Sequence, residues 1–174
     1  MLVNLGHLEK KDINSKVCKV RAVIMNYEGK FYVTNMDNSY NLPGGRVEAH
    51  EDLKDALIRE LKEELGINIT TKEIQYIGNI VFWHKDFFGE KINVNRENDV
   101  NLFLIVNPKK VEPERVHLTN YEKHYHFHLM SCSLDEILNL LKEKNENKYK
   151  KFTDVELKIC LKEFEKYRKE VHLC

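Results

Sequence analysis

The segment from Gly45 to Ile67 constrains this chain more than any other part of its sequence. On a helix of about 3.6 residues per turn, Glu60, Glu63 and Glu64 fall at positions i, i+3 and i+4 and share one patch of surface. Like charges at that spacing cost an isolated helix roughly 0.2 to 0.5 kcal/mol per pair. The same helix has an apolar stripe beside the acids, made of Leu53, Ala56, Leu57, Leu61 and Leu65. Carboxylates crowded against an apolar face need a positively charged partner.

The missing positive charge has two candidate sources, which are Arg59 and a bound divalent metal ion. Arg59 supplies one charge against at least three, whereas clustered hard oxygen ligands are what Mg²⁺ or Mn²⁺ selects. The preceding residues 42–45, Leu-Pro-Gly-Gly, predict a tight loop in which the backbone approaches a ligand closely. The alternative is an ordinary amphipathic helix with a solvated acidic face, which does not explain acids beside the leucine stripe.

The spacing of this segment resembles the Nudix box. The fixed positions are Gly45, then Glu51 after five residues, Arg59-Glu60-Leu61 after seven, Glu63-Glu64 after one, and Gly66-Ile67 after one. Every fixed position is present, although His50 stands where the family often has glycine. The resemblance implies a loop, a helix and a second loop that together bind Mg²⁺ or Mn²⁺ and hydrolyse nucleoside diphosphates linked to another group.

The resemblance also implies a role for the residues of the box. The metal ligands would be Glu60, Glu63, Glu64 and the carbonyl of Gly45, and the residues that orient and neutralise them would be Arg59 and Glu51. A bound cation would neutralise the diphosphate and lower the pKa of the water that attacks phosphorus in line. The first choice for the base that accepts the water's proton is Glu63 or Glu64, and the second is Glu122.

Composition limits the kind of partner that this chain has. The 174 residues suit a single domain, and the 28 basic and 28 acidic residues cancel, so nucleic acid is not indicated as the main partner. The four cysteines show no paired spacing, and residues 1–8 are too short and polar for an export signal or a membrane span. We therefore expect a reducing cytoplasm and no membrane association.

Strand patterns precede the box. From Val17 the chain alternates, with Cys18, Val20, Ala22 and Ile24 on one face and Lys19 and Arg21 opposite, before a predicted turn at 26–29 and a strand at 31–34. By resemblance Arg21 could reach a substrate phosphate, but an ordinary surface arginine is the simpler interpretation. Tyr40 is a candidate for stacking on substrate, and packing over the loop is the simpler role.

Two stretches after the box carry further candidates. Strands are predicted at 74–82 and 100–106, with a long polar loop at 83–99 whose aromatics Trp83 and Phe87 either stack on a nucleobase or pin the loop. Residues 121–130 are predicted to form a strand with His124, His126 and His128 on one face. Three imidazoles on one face could bind Zn²⁺. A sheet face that is exposed to solvent explains the same pattern without a metal. We favour a third interpretation, in which Glu122 and His124 contact the substrate in a cleft.

The C-terminal part is predicted to be helical. Ser133-Leu-Asp-Glu136 and Thr153-Asp-Val-Glu156 are both capping-box patterns. The second precedes a helical stripe of Leu157, Cys160, Leu161, Phe164 and Tyr167. The plain role of that stripe is to cover the sheet, and a homodimer contact is the alternative.

The order of elements predicts an α+β fold, a mixed sheet with helices on its faces, in agreement with the family's α/β/α sandwich. We expect one domain over 1–174, with the resemblance covering about 17–143 and a terminal helix at about 153–170. The function implied is divalent-metal-dependent hydrolysis of a diphosphate linkage in a nucleoside triphosphate, nucleotide sugar or dinucleoside polyphosphate. The alternatives are a nucleotide-sensing regulator without turnover and an RNA 5′-end pyrophosphohydrolase.

Overall fold

Two β-sheets form the middle layer of the fold. The computed structural model describes residues 1–36, 39–86, 94–124, 126–145 and 152–171. The strands are β1 (Leu2–Asn4), β2 (Ser15–Val23), β3 (Phe31–Met36), β4 (Ser39–Asn41), β5 (Ile74–Asp86), β6 (Val94–Ile105) and β7 (His128–Cys132). In the order β1-β5-β6-β2, the first and last pairs are parallel and β5 and β6 are antiparallel, so this sheet is mixed. The order β4-β3-β7 forms a smaller antiparallel sheet.

Helices cover both sides of these sheets. They are α1 (Leu53–Leu65), α2 (Asn120–His124), α3 (Leu134–Asn145) and α4 (Phe152–Glu170). One apolar core lies between α1 and the face of β2 that carries Val20 and Ala22, and it includes Ile24 directly after the strand. A second core lies on the opposite face, where Val23 packs in the same cluster as residues of α3 and α4. The predicted α/β/α sandwich with a central mixed sheet is therefore confirmed.

The polar loop predicted at 83–99 is mostly β-sheet. Strands β5 and β6 pair from Ile74 opposite Ile105 to Asp86 opposite Val94, which leaves 87–93 between them. The prediction was wrong because pairing satisfies the backbone whatever the side chains are, and polar residues here bond across the strands. Trp83 Nε1, for example, donates to Glu97 Oε2 at 2.9 Å. Phe87 lies outside the described residues.

The strand predicted at 121–130 is wrong except for its last three residues, which belong to β7. Helix α2 ends at His124, and His126 has a φ of 51°, before β7 begins at His128. A left-handed backbone conformation cannot continue a β-strand, so the alternation of histidines does not place them on one face. The alternating pattern gave no sign of this break, because histidine is among the residues that tolerate positive φ.

The last helix covers the second core. Leu157, Cys160, Leu161 and Phe164 of α4 are buried, and the ring of Phe164 meets Phe31 edge-on at 5.7 Å. The apolar stripe is thus used within the chain and is not exposed for a dimer contact; a homodimer formed elsewhere stays a prediction. None of the helices in the described ranges has the length and apolar character that crossing a bilayer requires.

Glu73 gives the fold a testable pH dependence. Its carboxylate accepts hydrogen bonds from Lys109 Nζ and from the backbone N–H of Thr70, the latter at 2.9 Å. Lys109 first, and Thr70 second, lower the pKa of Glu73 to about 2. Because an unfolded glutamate titrates near 4.3, this interaction stabilises the folded protein above that pH and is lost as pH falls towards 2.

We expect Glu73→Gln to lower the melting temperature by about 3 °C at pH 7 and to have progressively less effect between pH 4 and pH 2. Circular-dichroism melts at pH 7, 4 and 2.5 measure the difference. Glu28→Gln is the matched control, because the Glu28 side chain is 73% exposed and should leave the melt unchanged. An equal loss at pH 7 and pH 2.5 would contradict the assignment.

Candidate active site

Helix α1 is fixed at both ends by local interactions. Asp52 caps its N-terminus by accepting a hydrogen bond from Lys54 N at 2.8 Å. Gly66 ends it in the left-handed conformation with φ of 69°, and its N–H donates to Lys62 O. Ala56, Leu57, Leu61 and Leu65 are fully buried, and the carboxylate-bearing Glu64 is buried with them at 8% exposure. The apolar face thus sets how the acids are presented.

The loop before α1 is held against strand β2. Val20 N donates to Gly45 O at 3.0 Å, Ala22 N to Pro43 O at 2.9 Å, and Val47 N to Cys18 O at 3.0 Å. Gly44 has a φ of 120°, and a Cβ on it would overlap the backbone of Val20. Only glycine fits this position without strain. The loop therefore lies where the polar side of α1 meets the end of β2.

Two carboxylates of α1, the buried Glu64 and the partly buried Glu60, meet this loop. Glu64 Oε2 accepts a hydrogen bond from Gly44 N at 2.8 Å. The Glu60 carboxylate lies so near Gly45 that a Cβ there would overlap it. Burial raises the pKa of Glu60, and the neighbouring Arg59 opposes this. Glu63 differs from both, since its side chain is 38% exposed.

Arg59 joins the acids of the helix to the loop. Its Nε and Nη2 donate to the two oxygens of Glu51 at 2.8 and 2.9 Å, and its Nη1 donates to Glu60 Oε1 at 2.9 Å. Nη1 is also 3.5 Å from Glu63 Oε2. These bonds, to Glu51 first, raise the pKa of Arg59 above its ordinary value. One cation therefore serves several carboxylates, and negative charge remains in excess.

The donor set at this point fits a hard divalent cation. All its candidate ligands are oxygens, which are the carboxylates of Glu60, Glu63 and Glu64 and the carbonyl of Gly45. Within the described residues, no three acidic, histidine or cysteine side chains already converge as a metal cage. Glu60 is turned towards Arg59 and Glu64 towards Gly44 N.

Arg21 lies beside this loop and not on the surface. It is buried, its Nη1 donates to Gly44 O, and its Nε donates to Glu156 Oε1 at 2.7 Å. The surface interpretation of Arg21 was therefore wrong, and its contact with a substrate phosphate stays a prediction. The capping box predicted at Thr153–Glu156 is wrong, because α4 already begins at Phe152, and Glu156 instead accepts from Arg21 and, at 2.8 Å, from Lys19 Nζ. An acid beside an apolar helix stripe was the available signal.

The other candidate residues are distributed differently. Tyr40 is buried, with its N–H donating to Asp154 Oδ1 at 2.9 Å, so it packs in the core. Trp83 belongs to β5, and His124 is exposed at the end of α2. The side chain of Glu122 lies outside what the structure describes. Thus the fold brings together the box residues and places Arg21 beside them.

A depression of about 500 Å³ opens beside the box helix. Its lining residues are Asp55, Ile58, Arg59, Lys62, Glu63 and His117. The N–H of His117 donates to Glu63 O at 2.8 Å, which fixes the following loop against α1. His117 belongs to none of the sequence motifs described above. The depression gives Glu63 and Arg59 an open side where a polar ligand has access.

Comparison with known proteins identifies the family. A family model described as NUDIX domain matches residues 18–155, which is most of the chain. The chain belongs to the Nudix family. Nudix hydrolases generally use divalent metal ions, in keeping with the oxygen donor set of the box.

Individual relatives match over shorter lengths. A Bacillus subtilis protein named "Putative 8-oxo-dGTP diphosphatase YtkD" is 40% identical over 57 residues, covering 32% of this chain and 35% of that protein. An RNA pyrophosphohydrolase of Campylobacter jejuni is 36% identical over 69 residues, 38% of this chain and 42% of that one. The chain thus spans less than half the length of these relatives. A NUDIX hydrolase structure from Nitrosomonas europaea shares the fold, with TM-score 0.56, 17% identity, and coverage of 87% and 89%.

The conformation of Gly44 yields a prediction about the loop. Gly44→Ala should destabilise the protein by about 2 kcal/mol or more, because alanine is strained at this φ and its Cβ meets the backbone of Val20. Urea unfolding measures the loss. Gly78→Ala is the matched control, since a Cβ there meets nothing within 4 Å, and it should be neutral or slightly stabilising. Equal effects of the two substitutions would show that the loop does not depend on Gly44.

Proposed function

We propose that this Nudix protein hydrolyses a diphosphate linkage in a nucleotide-type substrate with the help of a bound divalent cation, Mg²⁺ or Mn²⁺. One observation carries the proposal: Glu64 is buried and Glu60 is only 13% exposed against the Gly44–Gly45 loop, with Arg59 as the cation that serves the box acids. A helix that needed only solubility would not bury these acids, because desolvating a carboxylate is costly. Binding of a divalent cation by these carboxylates would offset that cost.

The residues that would hold the cation are Glu60, Glu63, Glu64 and the Gly45 carbonyl. A cation held there supplies Lewis-acid stabilisation of phosphate charge and acidifies water. Arg59 orients Glu60 through the hydrogen bond described above, and Glu51 in turn fixes Arg59 through two hydrogen bonds. These partners keep the carboxylates in place while charge builds up on the substrate.

Proton transfer is assigned to the more accessible of the two favoured glutamates. The oxygen of the attacking water bonds to phosphorus, its proton passes to a carboxylate, and the bridging P–O bond breaks to release a phosphate-bearing product. Glu63 is favoured as the acceptor because it is 38% exposed beside the open depression. Glu64 is the second choice, since one of its oxygens already accepts from Gly44 N, and Glu122 remains the alternative outside the box.

The substrate class proposed is a nucleoside triphosphate, a nucleotide sugar or a dinucleoside polyphosphate. The names of the relatives, an 8-oxo-dGTP diphosphatase and an RNA pyrophosphohydrolase, support phosphoanhydride chemistry. The balanced charge of the chain argues for a small molecule over an RNA chain. RNA with a 5′ triphosphate therefore belongs in the assay as the competing substrate.

We further propose that residues 1–174 act as one domain in a reducing cytoplasm. Strand β1 pairs with β5 near the middle of the chain, and α4 packs on the same core, which supports a single unit. Cys18, Cys132 and Cys160 are free thiols, which supports a compartment without disulfide formation.

The test is to incubate the protein and its variants with Mg²⁺ and a substrate panel. The panel contains nucleoside triphosphates, nucleotide sugars, dinucleoside polyphosphates and 5′-triphosphorylated RNA, and released phosphate or pyrophosphate is measured. Glu63→Gln and Glu64→Gln should each reduce kcat about 100-fold or more while circular dichroism shows the native fold. Glu170→Gln, an exposed acid at the end of α4, should leave turnover unchanged.

Three outcomes are informative. Cleavage that survives both glutamine variants would remove the metal assignment. Nucleotide binding without any turnover would support the regulatory alternative, in which the fold senses a nucleotide. Cleavage confined to RNA would support the 5′-end pyrophosphohydrolase.

A further inference from the structure

Glu156 of α4 is a fully buried acid that the proposed reaction does not use. It is 0% exposed, and its carboxylate accepts from Arg21 Nε at 2.7 Å, Lys19 Nζ at 2.8 Å and Asn41 Nδ2 at 3.3 Å. Burial alone would raise the pKa of Glu156, but Lys19 and Arg21 lower it to about 2. The carboxylate is therefore ionised at neutral pH and firmly paired with two cations of β2.

Arg21 connects this acid to the loop of the active site. The guanidinium that binds Glu156 also donates through Nη1 to Gly44 O. On the other side of the same residue, Gly44 N donates to Glu64. Both peptide groups of Gly44 are thus held, one by α4 through Arg21 and the other by α1. A glycine at φ of 120° has no side chain to fix it, so these hydrogen bonds must do so.

We propose that Glu156 is a positioning residue, which acts through Arg21 to hold the Gly44–Gly45 backbone where the Gly45 carbonyl and Glu64 serve the metal site. The catalytic role of this relay, the hydrogen bonds from Glu156 through Arg21 to Gly44, rests on the proposed function. The relay itself is a property of the fold. The family model matches residues 18–155 and ends just before Glu156. The device is therefore supplied by a helix that lies almost wholly beyond the matched region.

A purely structural role for Glu156 is the alternative, in which it only fastens α4 to the sheet. Asp154 provides the matched comparison, since it lies on the same helix, is also buried, and binds the N–H of Tyr40 in β4. Both acids fasten α4, but Glu156 is the one joined through Arg21 to Gly44. A local measurement at the loop separates the two roles, whereas global stability does not.

The first measurement is amide hydrogen exchange by NMR in the metal-free protein. Glu156→Gln should speed exchange of the Gly44 and Val20 amides, which bond to Glu64 and Gly45, by about tenfold or more. Asp154→Asn should leave the exchange rates of both amides within about twofold of the native rates, even if it lowers the melting temperature as much as Glu156→Gln does. Unchanged Gly44 exchange in Glu156→Gln, or equal acceleration by both variants, would overturn the proposal.

The second measurement is Mn²⁺ binding by calorimetry. The dissociation constant should rise about tenfold in Glu156→Gln and stay near the native value in Asp154→Asn. A native protein that binds no Mn²⁺ would refute the proposed function. The exchange rates would still show whether Glu156 holds the loop through Arg21. Arg21→Lys keeps a positive charge near Glu156 but lacks the fork that reaches both partners, so it must show the same loop effects. If Glu156→Gln does not fold, this variant alone supports or overturns the proposal.

Discussion

The backbone of Gly44 is the point at which three elements of this protein are joined. Its N–H is held by Glu64 of α1, its carbonyl by Arg21 of β2, and the conformation between them is one that only glycine adopts freely. Through Arg21 the same point is linked to Glu156 of α4. The helix on one face of the sandwich and the helix on the other are thus coupled through a residue without a side chain.

Each of the three acids around this point is stabilised in a different way. Glu64 is satisfied by a backbone N–H, Glu60 by the guanidinium of Arg59, and Glu156 by two cations together. The first two acids lie against the Gly44–Gly45 loop, whereas the third is fully buried and paired with two cations. On the proposed function, this contrast distinguishes acids that bind a ligand from an acid that supports the fold. Negative charge thus remains in excess at the proposed ligand site, whereas the charge of Glu156 is balanced by its two cations.

The parts of the fold that the sequence predicted are those governed by local rules. Helix α1, its apolar face and its glycine C-cap follow from spacing within one segment, and so does the gathering of the box residues. The extent of β5 and β6 did not follow, because strand pairing overrides the polarity of single residues such as Glu97. The break at His126 depends on a backbone angle with no periodic signal. The pairing of Glu156 was not predicted, because its partner Arg21 lies 135 residues earlier in the chain.

That sequence separation bears on how the molecule is made. During synthesis, β2 and the box helix leave the ribosome long before α4 does. Arg21 therefore has no Glu156 carboxylate to pair with while the first sheet assembles. Contacts between such distant residues form slowly, because a long loop must close before they stabilise anything. Until then, the apolar face of the sheet that Leu157 and Phe164 later cover is open to other chains. We therefore expect the Gly44–Gly45 loop to be among the last parts of the nascent protein to reach its final shape.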